Sequence, residues 1–194
     1  VDFVAISAHK KGGPTGIGCL LVKKDVMSQM GPFMTGGSMI KTVSTLGSTF
    51  QEGHALFETG TPRIAEAIGW GAAVEWLERF DMKEVHSHIN KIASWTAERI
   101  STIEGITVYG DPSRSDSSGA VSFLHDSIQS QDLALLLDEG GFAVRTGHHC
   151  AQPLMDALGV PSTNRASFWL YNTMDEAEAF VNHLDYVVGR FSDK

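Results

Sequence analysis

The chain has 194 residues, enough to bury a substantial core as one large or two small domains. Its 42% hydrophobic and 20% charged residues are ordinary for a globular protein, and a formal net charge of −8 argues against an electrostatic grip on nucleic acid or an anionic membrane. No apolar run is long enough to span a bilayer, neither end carries a basic segment followed by an apolar one, and two cysteines make no disulfide framework, so a reducing, cytoplasmic setting is expected.

Residues 1–7 read as a buried strand, β-rich, mostly apolar and already under way at Val1, with no partner in the next few residues. The chain is therefore expected to be a piece of something longer. A polar, glycine-rich stretch over 8–16 leads to a second strand at 17–23, in which Cys19 reads as a buried structural cysteine. Asp25 is placed to cap a short helical turn reaching Met30. Residues 31–61 show little periodicity and several glycines, and so long an irregular stretch is usually functional.

A helix is predicted from about Pro62, with Thr61 as N-cap, Pro62 at the first helical position, and Ile64, Ala67, Ile68, Gly71 and Ala72 on one face. A second helix over 83–99 buries Val85, Ile89, Ile92 and Ile100 and exposes Glu84, His88, Lys91 and Glu98. The domain boundary is expected near Arg79 to Asp81, leaving 1–79 as an incomplete domain and 80–194 as a small α/β domain. In the latter, strands over 105–109 and 119–124 flank a polar loop at 111–118, and a helix over 132–139 stops at Gly140-Gly141. Strands at 142–145 and 166–171 flank a loop containing Cys150. A last helix begins at a capping box, Thr173 with Glu176, and keeps Ala177, Phe180, Val181, Leu184, Val188 and Phe191 on its apolar face. Asp175 and Glu178 favour its positive end. The expected architecture of 80–194 is a sheet of short strands with helices on one face.

Three places can carry chemistry. In Ser7-Ala8-His9-Lys10-Lys11-Gly12-Gly13-Pro14-Thr15-Gly16-Ile17-Gly18, a lysine at a strand end can form a Schiff base with a cofactor aldehyde, and the hydroxyl and imidazole before it suit a phosphate. Read from the residues alone, a solvated turn fits as well. In Phe57-Glu58-Thr59-Gly60-Thr61-Pro62, a capped helix start is itself an anion site. In Val144-Arg145-Thr146-Gly147-His148-His149-Cys150-Ala151-Gln152-Pro153, Cys150 can be structural, a metal ligand with His148 and His149, or a nucleophile. Three consecutive residues rarely converge on one ion and no second ligand cluster has suitable spacing, so no metal is expected. Arg145 and Arg165 favour a thiolate and suit a carboxylate-bearing substrate. The other histidines, His54, His86, His88, His125 and His183, read as solvated or locally satisfied, and Trp70, Trp76 and Trp95 as packing or interface residues.

These three strings together closely resemble the SufS/CsdA-type cysteine desulfurases, pyridoxal-phosphate enzymes of the class V aminotransferase family, over nearly the whole chain but only about the C-terminal half of such an enzyme. The resemblance implies fold-type I, with 1–79 a remnant of the cofactor-binding large domain and 80–194 the small domain. It implies that Lys10 binds pyridoxal phosphate covalently, that Ser7 and His9 touch its phosphate, and that Gly60 and Thr61 reach the phosphate held by the other subunit of a homodimer. Cys150 is then the nucleophile that takes sulfur from L-cysteine as a persulfide, Arg165, within Asn164-Arg165-Ala166-Ser167, and Arg145 bind substrate, and a sulfur-acceptor protein relays the sulfur to iron–sulfur assembly. Selenocysteine lyase chemistry, or a non-catalytic dimerisation module, are the alternatives. Two positions depart from the family pattern: Lys11, where an apolar or aromatic residue is common, and Leu56, where arginine is frequent. The family's other half, with its ring-stacking histidine and pyridine-binding aspartate, has no counterpart here, so this polypeptide alone is expected to bind the cofactor poorly and turn over little.

Overall fold

The structure is a computed structural model; it describes residues 1–111 and 118–192, so most of the polar loop expected at 111–118 lies outside the described residues. The chain divides into two compact units, Val1–Arg79 and Phe80–Lys194.

In the first unit, β1 (Phe3–Ser7) pairs antiparallel with β2 (Gly18–Val22), Ser7 opposite Gly18 and Ile6 opposite Cys19. The first strand therefore has a near partner after all. Neither strand is buried: Phe3, Val4, Leu20 and Leu21 are all exposed, because no layer of residues 1–79 covers either face of the pair. Cys19 is exposed for the same reason, which corrects its reading as a core cysteine.

A single helical turn, α1 (Lys24–Met27), follows with Lys23 rather than Asp25 at its N-cap; Asp25 sits inside the first turn. The stretch read as irregular holds a hairpin, β3 (Ile40–Ser44) with β4 (Gly47–Phe50), closed by Ser44 Oγ donating to the Gly47 carbonyl. The long helix α2 (Ile64–Leu77) starts after Arg63, not at Pro62, with no side-chain cap. Its predicted apolar face is open, Ile64 and Ile68 being more than half exposed.

The second unit is built round a four-stranded antiparallel sheet of β5 (Ile106–Tyr109), β6 (Ala120–His125), β7 (Arg145–Gly147) and β8 (Thr163–Ser167), in the order β5-β6-β8-β7. Alternation decides its faces. Val121 and Phe123 of β6 and Ala166 of β8 point into the core, against Ala93, Ala97 and Ile100 of α3 (Met82–Ile100), Leu133 and Leu137 of α4 (Ser130–Glu139), and Phe180, Val181 and Leu184 of α6 (Met174–Ser192). The expected sheet with helices on one face is present. Phe180 meets Phe123 and Phe142 edge-on, with centroids 6.1 and 5.8 Å apart, an arrangement that suits the ring quadrupoles.

Local signals explain most boundaries here. Asp81 accepts from the Lys83 N–H at 2.8 Å and so caps α3, whose predicted buried and exposed residues fall as expected. The capping box of α6 forms: Thr173 N–H donates to Glu176 Oε2 at 2.8 Å and Glu176 N–H to Thr173 Oγ1 at 3.2 Å. Its apolar stripe is buried apart from Phe191, which is about half exposed at the last turn. Two strand readings shift by about three residues: residues 142–144 precede β7 without joining it, and the strand expected at 166–171 is β8, which ends at Ser167. The short helix α5 (Gln152–Leu158), closed by Gly159 at φ +70°, was not foreseen. Among the described residues, no helix is long and apolar enough to cross a membrane.

Candidate functional site

Two groups of side chains carry the candidate chemistry, one in each unit. In the first unit the chain leaves β1 at Ser7 and enters a 3-10 turn, Ala8–Lys11, whose core is the fully buried Ala8. The Ala8 N–H donates to the Ile17 carbonyl, the Gly13 N–H donates back to Ala8, and Gly12 closes the turn at φ +73°. A Cβ on Gly13 would lie 2.8 Å from Trp70 Cδ1, so the second glycine is required by packing. This turn throws His9, Lys10 and Lys11 outward, with Ser7 half-buried beside them. Among the described residues no carboxylate pairs with Lys10. A hydroxyl, an imidazole and an uncommitted amine within four residues form a donor set that fits a phosphate-bearing aldehyde.

Gly60 and Thr61 lie on the loop before α2. Gly60 takes φ +80°, donates its N–H to the Gly37 carbonyl at 2.8 Å, and accepts from Ser38 Oγ at 3.4 Å; Thr61 is exposed. A cleft of about 880 Å³ along α2 is lined by Cys19, Gly60, Trp70 and Val74, with the indole N–H of Trp70 buried and without a partner among the described residues. Lys10 is not in its wall, and among the described residues no hydrogen bond joins Gly60 or Thr61 to Ser7, His9 or Lys10.

The second group is built by strand register. Arg145 of β7 sits directly opposite Arg165 of β8, which sits opposite Ser122 of β6, so the two guanidiniums stand side by side on the sheet face turned away from the helices. Like charges in directly opposed positions are destabilising unless an anion lies between or above them. Among the described residues no carboxylate fills that role, and Arg165 instead steadies itself by donating Nε–H to Ser167 Oγ at 3.1 Å. Two adjacent guanidiniums are a donor set that suits a carboxylate.

The thiol comes back onto the same face. Ala151 N–H donates to the His148 carbonyl at 2.8 Å, closing a turn whose central residues, His149 and Cys150, both have positive φ, +56° and +61°. That is the signature of a type I′ turn, normally filled by Asn-Gly. Cys150 is exposed, its Sγ 3.5 Å from Arg145 Nη2, and its N–H donates to His148 Nδ1 at 3.1 Å. The contact places a guanidinium against the sulfur. His149 folds over β8, its Nε2 3.0 Å from the Thr163 carbonyl and 2.9 Å from Thr163 Oγ1. Burial first, then the Arg165 charge and, less strongly, Arg145 and His148 push its ring below the ordinary imidazole range, against the opposite pull of the Thr163 carbonyl.

The structure thus brings Arg145, Arg165 and Cys150 together in one unit and Ser7, His9 and Lys10 together in the other, with Gly60 and Thr61 on a separate loop of that same unit. The contact of His149 with Thr163, beside the thiol, was missed. Sequence carried no signal for them, because a turn of this kind without glycine or asparagine has no pattern to read.

The description Aminotransferase class-V belongs to the family whose profile matches residues 1–180. A cysteine desulfurase of Haloferax volcanii is 43% identical over 184 residues, 95% of this chain and 43% of that protein. The crystal structure of the cysteine desulfurase CsdA from Escherichia coli, in its S-sulfonic acid form, superposes with a TM-score of 0.92 at 37% identity, covering 97% of this chain and 46% of that one. The apo structure of a cysteine desulfurase from Thermococcus onnurineus gives 0.93 at 36% identity, covering 97% and 47%. The chain spans about half the length of the relatives it matches.

Proposed function

The chain belongs to the class-V aminotransferase family, whose fold-type I architecture its mixed α/β structure fits, and from that membership we propose that its chemistry is that of a cysteine desulfurase. L-Cysteine gives up its sulfur to Cys150 and leaves as alanine. The single observation that carries this reading is the thiol of Cys150, exposed on a strained turn and 3.5 Å from Arg145, beside a second arginine that no carboxylate among the described residues satisfies.

Each residue has a task. Arg165 holds the substrate carboxylate, and Arg145 positions the Cys150 sulfur, 3.5 Å from its guanidinium. The thiolate attacks the substrate's sulfur: an S–S bond forms as the carbon–sulfur bond breaks, and the bonding pair stays with the departing carbon, which is then protonated. Ser7, His9 and Lys10 would hold pyridoxal phosphate, with Gly60 and Thr61 contributed by a second copy of the chain. That group, when bound, would supply the electron sink for charge developing at the substrate's Cα. The amine of Lys10 takes the proton from Cα and later returns one to the product. In this reading residues 1–79 are part of a cofactor-binding domain, residues 80–194 form the small domain that presents the thiol, and the persulfide passes to an acceptor protein in the cytoplasm.

The test is a chimera. Residues 1–194 replace the matching segment of the Haloferax volcanii relative, and alanine release and added sulfur on Cys150 are measured with L-cysteine and pyridoxal phosphate. The expected result is alanine production with a persulfide at Cys150, both abolished by Cys150→Ser or Lys10→Ala. A folded chimera that binds pyridoxal phosphate and releases no alanine would overturn the reading.

A further inference from the structure

We propose that His149 is a positioning residue that holds the Cys150 turn closed over β8 and so keeps the thiol beside Arg145. The inference deepens the reading of Cys150 as nucleophile and rests on it for its meaning, though its geometry stands on its own.

The argument starts from the backbone. His149 and Cys150 are consecutive non-glycine residues at φ +56° and +61°, a conformation that strains an L-residue and that only surrounding contacts maintain. The chain reaches this turn from β7, where Gly147 is already paired with Thr163. Two residues later the His149 side chain returns to that same Thr163, meeting both its carbonyl and its hydroxyl. Thr163 is almost fully buried and lies two positions before Arg165 on the same strand and the same face. The imidazole is therefore a tie between the turn that carries the thiol and the strand that carries the second arginine.

The chemistry of the tie is determined by its acceptor. A carbonyl oxygen only accepts, so Nε2 bears the proton and donates to Thr163; in the neutral ring the lone pair is then on Nδ1. That nitrogen is buried and has no partner among the described residues. The displaced proton of a second tautomer would leave the Thr163 carbonyl facing a bare nitrogen, so the geometry selects one neutral form. The remaining contacts of the turn are local: Ala151 N–H to the His148 carbonyl and Cys150 N–H to His148 Nδ1. They shape the turn without fastening it to the sheet. Among the described residues, two side-chain ties fasten it there: His149 to Thr163 of β8, and the Arg145 guanidinium, anchored in β7, to the thiol; the second is the contact the thiol would lose if the turn lifted.

Reactivity of the intact chain tests the proposal, with Cys19 as an internal reference because it is the other exposed thiol and lies in the other unit. Iodoacetamide labelling resolved by peptide mass spectrometry gives the Cys150 to Cys19 rate ratio, and needs neither cofactor nor L-cysteine. His149→Ala is expected to lower that ratio about tenfold at neutral pH, because the sulfur then leaves the guanidinium it touches. Cys150 is already exposed, so greater access does not offset the loss. His149→Asn, which keeps a donor and tolerates the left-handed conformation, should restore the ratio to within about twofold of wild type. A ratio unchanged in His149→Ala overturns the proposal, as does a His149→Asn ratio no better than that of alanine. Should His149→Ala fail to fold, the two-bond proton–nitrogen spectrum of the wild-type histidine rings decides: the Nε2–H form at His149 supports the tie, and the Nδ1–H form overturns it. The desulfurase reading is tested separately in the chimera, so either can fail while the other stands.

Discussion

At the scale of single residues, the two cysteines separate what surroundings do from what a residue type does. Both are exposed, yet Cys19 lies in a regular strand pair with no charged group among the described residues holding its sulfur, whereas Cys150 sits in a left-handed turn against a guanidinium. The neighbouring His149 makes this turn pH-sensitive. Its ring is depressed below the ordinary value by burial and by Arg165, while the unfolded chain protonates near about 6.5. As pH falls below that value the unfolded state binds more protons than the folded one. The stabilisation is therefore complete above the unfolded value and is lost as pH drops through the lower folded value. The thermal midpoint of the wild type should fall more steeply than that of His149→Asn on acidification from neutral to about pH 5. Equal slopes in the two melting series would show that this imidazole has no part in the pH response. The motif around Cys150 made Arg145, Cys150 and Arg165 visible as candidates from sequence. Their juxtaposition was not visible, because it depends on a strand register whose boundaries the local pattern misplaced on both β7 and β8.

At the scale of elements, what could be read in advance divides by whether the signal is local. The α6 capping box and the helical stripe behind it are local, and both form. The hairpin β3–β4 escaped because its second strand, Gly47–Phe50, is mostly polar and exposed, and so lacks the alternation that marks a half-buried strand. The helix α2 was placed, and its apolar face is largely exposed: such a face is buried only where a covering layer exists. Two substitutions put numbers on these devices. Thr173→Ala removes one half of the capping box and should cost about 1 kcal/mol. Gly119→Ala is expected to be worse by a factor of two or more, roughly 2–3 kcal/mol, since Gly119 has φ +73° and an added Cβ would approach Ile89 Cγ2 far inside contact distance at the α3–sheet boundary. Chemical denaturation of both variants checks the order; a Gly119→Ala protein as stable as Thr173→Ala would contradict the packing argument.

At the scale of the molecule, the two units differ in how much core each owns. Between Val1 and Arg79 only Ala8 and Met39 are buried apolar residues, whereas the second unit joins α3, α4, α6 and its sheet through a continuous cluster centred on Phe123, Leu133, Leu137 and Leu184. Backbone protection follows from this, because amides exchange through local openings whose cost rises with the apolar contacts that must be broken. A two-stranded sheet without a covering layer is marginal in water, so β1–β2 and β3–β4 should open readily although both are paired along their length. Hydrogen exchange of the whole chain, read by peptide mass spectrometry, is expected to show slow exchange in α3, β6 and α6 and exchange faster by orders of magnitude across residues 3–50. The same contrast bears on chemistry. The turn that carries Lys10 rests on the unit with little core, while Cys150 and the two arginines rest on the unit with a complete one, so the thiol site should keep its geometry under conditions that already loosen the amine. Slow exchange throughout residues 3–50 would show that the first unit is held by more than its own buried residues, and would undo that asymmetry.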